Sequence, residues 1–228
     1  ARATSQILCA AGVDFGILGK AEKDSGNEVK RFGEEMLFQD LKDRNTNAIL
    51  NCGAKKIVTA DPHAYNTLKK DYRDIPPVEH ISQTIVQNLK SGKIRLKPVE
   101  GGGKTYVYHD PCYLGRHNGI YDEPREVLQK IPGLELSEMP ETRENSLCCG
   151  GGGGRIWMET PKEERFSDLR LDQATGIGAE VLATCCPYCI THFEESRLAL
   201  ADSHNQDPAD GNVIEIKDVT EIIQEAIS

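Results

Sequence analysis

The sequence is short of aromatic side chains and of basic charge. It has one Trp, three Met and 6% aromatics, and its 27 Lys and Arg face 36 Asp and Glu. A formal charge of -9 argues against nucleic acid or an anionic membrane surface as the main partner, because both need a clustered basic face. No window comes near the roughly 18 apolar residues of a membrane span, so no direct membrane span is expected. The opening ARATSQILCAAGVDFG also lacks a charged region followed by a long apolar run. These absences lead to the expectation of a soluble protein in the cytoplasm, with the cytoplasmic face of a membrane complex as the other option. Nor is there a disulfide framework: eight cysteines in 228 residues are too few and too uneven for a small secreted scaffold.

What is present is concentrated. Five of the cysteines fall in two knots, at 148–149 and 185–189, and the first is followed at once by five glycines in CCGGGGGRIWME. Adjacent cysteines make poor disulfide partners, and a long glycine run costs backbone entropy on folding. Metal or redox chemistry in a reducing compartment accounts for both.

The chain also repeats. At a register of 125 residues, CGAKKIVTADPHAYNTL (52–68) falls on IGAEVLATCCPYCITHF (177–193), and the same register sets KDSG (23–26) on CCGG (148–151). Lys23 and Asp24 then occupy the places of Cys148 and Cys149, Asp61 that of Cys186, and Ala64 that of Cys189. The counterpart of Cys112 would lie upstream of Ala1, so the chain reads as a portion of a longer polypeptide.

Short β-rich runs, KKIVTAD and AEVLATC, each end at a Pro suited to the first turn of a helix. TYVYHD, LELSEM and VIEIKDV read as further strands. EPREVLQKI, ERFSDLRLDQA, YCITHFEESRLAL and TEIIQEAI read as helices, and VEHISQTIVQNL resembles the final strand and helix. Alternating strands and helices predict an α/β fold: two pseudo-repeated, Rossmann-like half-domains with parallel sheets. The expected division is a degenerate, truncated half-domain over 1–95, a linker over 96–104 and an intact half-domain over 105–228. GGGKT at 101–105 is not a phosphate loop, since Pro98 stands where its first glycine belongs. The glycine run lacks the context of a dinucleotide fingerprint, so no flavin or NAD site is expected.

The spacing of Cys112, 35 residues, Cys148 and Cys149, 36 residues, Cys186, two residues, Cys189 resembles the cysteine-rich CCG motif found in the B and D components of heterodisulfide reductase and in their relatives. The resemblance runs through HDPCYLGRHNGIYDEPREVL, CCGGGGGRIWME and CCPYC, and is nearest to the iron-sulfur oxidoreductases linked to electron-transfer flavoproteins or quinones. It implies a [4Fe-4S] cluster, cubane or noncubane, held in the C-terminal half by Cys112, Cys148, Cys149, Cys186 and Cys189. It also implies redox partners of ferredoxin-like, flavoprotein or quinone-linked kind. Thiolates are the ordinary ligands of such clusters. The glycines would let backbone N–H groups approach the sulfurs, and Cys186 would sit at a helix start that favours a thiolate. Arg116, His117 and Arg155 are candidate cations around the site, and His109 and His117 are read as hydrogen bonders in preference to ligands. Cys9, Cys52 and Cys185 are read as buried small hydrophobes.

Three functions follow. The leading one is an electron-relaying iron-sulfur domain of a larger oxidoreductase, with one cluster in the C-terminal half. The second is reduction of a disulfide or heterodisulfide at the cluster, and the third a zinc-holding or structural interaction module without redox chemistry.

Overall fold

The computed structural model describes residues 1–99, 103–161, 164–203 and 213–227. The first half contains α1 (Arg2–Ala10), α2 (Asn27–Arg31), α3 (Glu35–Cys52), β1 (Ile57–Thr59), α4 (Pro62–Lys70), β2 (Val78–His80) and α5 (Ile81–Lys90). The second contains β3 (Thr105–Tyr108), α6 (Asp122–Gln129), β4 (Glu135–Ser137), α7 (Phe166–Gly176), β5 (Val181–Thr184), α8 (Pro187–Ser203), β6 (Glu215–Asp218) and α9 (Val219–Ala226). β1 and β2 form a parallel pair, with Ile57 beside Val78 and Thr59 beside His80. The other four strands form a parallel sheet in the order β4-β3-β5-β6. This is the α/β architecture with parallel sheets that the alternating pattern predicts.

The 125-residue register is visible in the elements: Pro62 opens α4 after β1, and Pro187 opens α8 after β5. Each Pro sits where its missing N–H would have no helical partner. The next strand and helix also correspond, now 138 apart. His80 caps α5 and Asp218 caps α9, and each cap residue's own N–H donates back to the side-chain oxygen of Gln83 or Glu221. The change of offset falls where α8 has 17 residues against 9 in α4.

Strand alternation divides the second half into two faces. Tyr106, Tyr108, Val181 and Ala183 point into a core shared with Ile7 and Leu8 of α1, Ile81 and Ile85 of α5, and Ile222 and Ile223 of α9. Val107, Leu182 and Ile216 point the other way, onto Leu171 and Ala174 of α7 and Phe193 of α8. The first core therefore joins both halves. In the segment expected as a linker, Lys97 N donates to Ala226 O at 2.8 Å, and Val99 is buried. Gly101 and Gly102 lie outside the described residues.

α1, α2 and α3 precede every element expected from the sequence. Two of the three cysteines read as buried hydrophobes need correction: Cys9, in the last turn of α1, and Cys52, at the end of α3, are exposed. Both segments are helical, and the buried face of α1 is carried by Ala3, Ile7 and Leu8. Cys185 is buried as expected.

Candidate metal centre

Alternation continues past the strand ends and decides which sulfurs meet. Cys185 follows Val181 and Ala183 into the first core, whereas Cys186 follows Leu182 to the second face. In that first core Cys185 lies with Tyr108. Cys186 instead stands at the N-terminus of α8, its carbonyl accepting from Ile190 N at 3.0 Å, and one helical turn brings Cys189 beside it.

Cys112 lies in the turn after β3, and Cys148 and Cys149 precede the glycine run. Sulfur contacts run without a break from Cys112 to Cys148, Cys149, Cys189 and Cys186. The structure thus brings together all five cysteines singled out by spacing. Cys149, Cys186 and Cys189 are buried, Cys112 and Cys148 half-buried, and none is in a disulfide.

The loops are held by a buried ion pair. Arg125 of α6 grips Asp110, two residues before Cys112, through Nη1–Oδ1 at 2.6 Å and Nη2–Oδ2 at 2.8 Å. The Asp110 carboxylate also accepts from Arg143 N at 2.8 Å, tying in the turn that leads to Cys148. Burial opposes the charge of Asp110, but Arg125 outweighs it and holds the pKa below the ordinary carboxylate range.

The glycines do what a side-chain-free segment permits. Gly150 N donates to Cys148 Sγ at 3.3 Å, and Gly151 N reaches Cys149 Sγ at 3.5 Å. A Cβ on Gly151 would lie 2.7 Å from the His192 ring, and one on Gly154 would lie 2.0 Å from Phe32 Cζ. Gly154 also has φ +80°, a conformation that suits glycine.

Bonds from Cys112, Cys149 and Gly150 N–H lower the Cys148 pKa far below the usual thiol range, against the effect of burial. Cys112, which donates to Cys148, is pushed up. At Cys186 burial is opposed by Cys189 and His63, whose hydrogen bonds bring the thiol down to about 7.

His63 is the contribution of the first half. Burial works against its protonation, yet Cys186 and Glu28 push its pKa up to about 9. Its Nδ1 lies 2.6 Å from Glu28 Oε1, and Glu28 Oε2 accepts from Gly154 N at 3.1 Å. The first half is thereby fastened to the glycine run. His63 also stacks on Tyr188 at 4.1 Å and meets Tyr113 at a tilt of 36° and 4.2 Å, and Tyr113 stacks on the exposed His117 at 4.6 Å. Of the cations expected around the site, Arg116 donates to Ser146 O, two residues before Cys148, and Arg155, which lines a cavity that reaches Cys149, donates to Thr160 Oγ1 at 3.4 Å. The cation placed inside is Arg170 of α7, fully buried, whose Nε donates to His109 Nδ1 at 3.3 Å. Burial, reinforced by Arg170, pushes the His109 pKa down to about 3.

His63, Glu28 and Arg170 were not singled out from the sequence. The repeat carries a signal for one of them, since His63 is the counterpart of Tyr188 at the 125-residue register, and the two rings stack on each other.

Five clustered thiols, two of which accept backbone N–H groups, are a donor set for a soft metal or an iron-sulfur cluster and not for a hard cation. The chain belongs to the cysteine-rich CCG domain family, whose sequence profile matches residues 1–69 and 106–194. Among its relatives, the probable iron-sulfur-binding oxidoreductase FadF of Bacillus subtilis is 42% identical over 86% of this chain and 28% of its own length. The EtfAB:quinone oxidoreductase of Syntrophomonas wolfei is 39% identical over 82% of this chain and 27% of its own. The D component of the dihydromethanophenazine:CoB–CoM heterodisulfide reductase of Methanosarcina barkeri is 32% identical over 99% of this chain and 54% of its own. The chain thus spans about a quarter to a half of these relatives. Together with the five-thiol site, they support an iron-sulfur cluster as the cofactor. Among the described residues, no helix is long and apolar enough to cross a membrane.

Proposed function

We propose that this chain is an electron-relaying domain of a larger oxidoreductase and holds one [4Fe-4S]-type cluster through Cys112, Cys148, Cys149, Cys186 and Cys189. The observation that carries this reading is the unbroken series of sulfur contacts through those five residues. Five donors exceed the four of a cubane or of a single tetrahedral ion, which favours a noncubane cluster over zinc. When bound, the cluster supplies one-electron redox chemistry. The chain's own part is to present thiolates, aim the Gly150 and Gly151 N–H groups at sulfur, and cover the centre with His63 and Tyr188.

In this reading the first half (1–95) is a cover without a cluster of its own, joined by 96–104 to the ligand-bearing half (105–228). The partner is a ferredoxin-like or flavin-bearing redox protein with an acidic docking face. It meets the side where His117 is flanked by Arg116 and by Lys70, whose Nζ donates to His117 O at 2.7 Å. From there the adjoining rings of Tyr113 and His63 lead to Cys186. A cytoplasmic site of action fits this reading.

Protein purified without oxygen should carry iron and acid-labile sulfide in near one-to-one ratio, about four of each, with an electron paramagnetic resonance signal on reduction. Stoichiometric zinc without sulfide would favour the structural module. A second reading, reduction of a disulfide substrate at the cluster, is favoured by a cavity of about 870 Å³ that reaches Cys149 and is lined by Arg165, Phe166 and His192. Its test is turnover of a small disulfide by the reduced, cluster-loaded protein.

A further inference from the structure

His109 follows Tyr108, the last residue of β3, and so shares the cluster-side face with Val107. It is fully buried, and its Nε2 has no hydrogen-bond partner among the described residues. Leaving a buried polar atom unpaired is costly, so this nitrogen calls for a partner that the protein atoms do not supply. A ring nitrogen of His109 and the sulfurs of Cys149 and Cys189 lie within 4.8 Å of one another. That spacing alone allows either ligation or hydrogen bonding.

The other ring nitrogen decides between them. Arg170 Nε donates to His109 Nδ1 at 3.3 Å. A guanidinium has no acceptor and keeps its charge, so Nδ1 must offer its lone pair and the ring proton must sit on Nε2. Arg170 has little freedom to leave, because Nη1 donates to Gln173 Oε1 at 2.6 Å and Nη2 to Ser146 Oγ at 3.3 Å. An Nε2 that carries a proton cannot ligate iron, but it can donate.

We infer that His109 donates its Nε2–H to a sulfur of the cluster, and that Arg170 is the positioning residue that fixes this tautomer. The inference rests on the cluster assignment made above. A donor aimed at sulfur stabilises the more negative, reduced cluster, which is how hydrogen bonds at the ligands raise a potential.

Three readouts test it. In the metal-free protein, nitrogen NMR of the His109 ring should report the Nε2–H tautomer; an Nδ1–H tautomer would overturn the inference, whether or not a cluster ever binds. In the cluster-loaded protein with labelled histidine, pulsed electron paramagnetic resonance should show a weak nitrogen coupling and a proton that exchanges in D2O. A strong coupling from directly bound nitrogen would overturn it. His109→Phe should keep its iron but shift the midpoint potential downward by about tenfold in the reduced-to-oxidised ratio, or about 59 mV for a one-electron couple, with His109→Gln restoring part of the shift. An unchanged potential in His109→Phe with full iron would also overturn it. Iron analysis of the wild-type protein reports separately on the cluster assignment, so failure of that reading cannot be mistaken for failure of this one.

Discussion

The two halves use the same backbone devices with different atoms. Cys186 stands at the start of α8, and its counterpart Asp61 stands at the start of α4, where its Oδ1 accepts from His63 N at 2.9 Å. Gly151 N reaches Cys149 Sγ at 3.5 Å, and at the matching place Gly26 N donates to Asp24 Oδ1 at 2.7 Å. The carboxylates occupy themselves with their own turns, and Ala64, in place of Cys189, has no donor. The sheets differ as well: β5 lies between β3 and β6, whereas β1 pairs with β2 alone among the described residues. The same turn can thus be built around a carboxylate or a thiol, because capping a turn needs an acceptor but a cluster needs several soft donors.

The comparison predicts its largest effect at the sulfurs. Cys148→Ser or Cys186→Ser should abolish or convert the cluster, while Asp24→Ala and Asp61→Ala should leave the iron content unchanged, as iron and sulfide analysis would show. Loss of iron in the Asp variants would break the contrast between the halves. Asp61→Ala should still cost about 0.5–2 kcal/mol as a lost helix cap, measurable by denaturant unfolding.

Next in size is the buried pair that holds the Cys112 loop. Arg125→Met leaves Asp110 charged and buried, at a cost of about 3–5 kcal/mol. The pKa of Asp110 is depressed in the folded state. Its contribution is therefore fully present above the unfolded value of about 3.9 and is lost as pH falls through the lower folded value. The difference in acid unfolding between the wild-type protein and Asp110→Asn should then begin to shrink near about pH 4 and close only below the depressed folded value.

Gly154→Ala should be the costliest of the single glycine changes tested, about 1–3 kcal/mol from φ strain alone, with further loss from the collision with Phe32. Gly152→Ala, whose Cβ would meet His63 Cε1 at an ordinary 3.5 Å, should be mild in the metal-free protein. The smallest effects belong to the cysteines outside the sulfur series. Cys185→Ala should keep its iron, and Cys9→Ser should change neither iron nor midpoint of unfolding.

Most of the second half was legible because its signals are local. Strand period, the Pro that opens α8 after β5, and the spacing of the five cysteines are read directly along the chain, and the shift of faces between Cys185 and Cys186 is strand parity carried one residue further. The unread parts depend on partners distant in sequence. α1 packs on α9; Ala3, Ile7 and Leu8 stand at helical spacing, but the surface they meet lies at the other end of the sequence. Arg170 reads as one more charge on a helix until α7 is laid against the sheet and His109 receives it. His63 lies between these cases: the repeat pairs it with Tyr188, but its bond to Glu28 appears only when α2 and α4 meet.

Counting iron on anaerobically prepared, unmodified chain tests the central contrast most directly. One cluster in the second half and none in the first predicts about four irons per chain, with the iron lost in Cys148→Ser and retained in Asp61→Ala. About eight irons per chain, or a reduced-state spectrum of two interacting clusters, would contradict it.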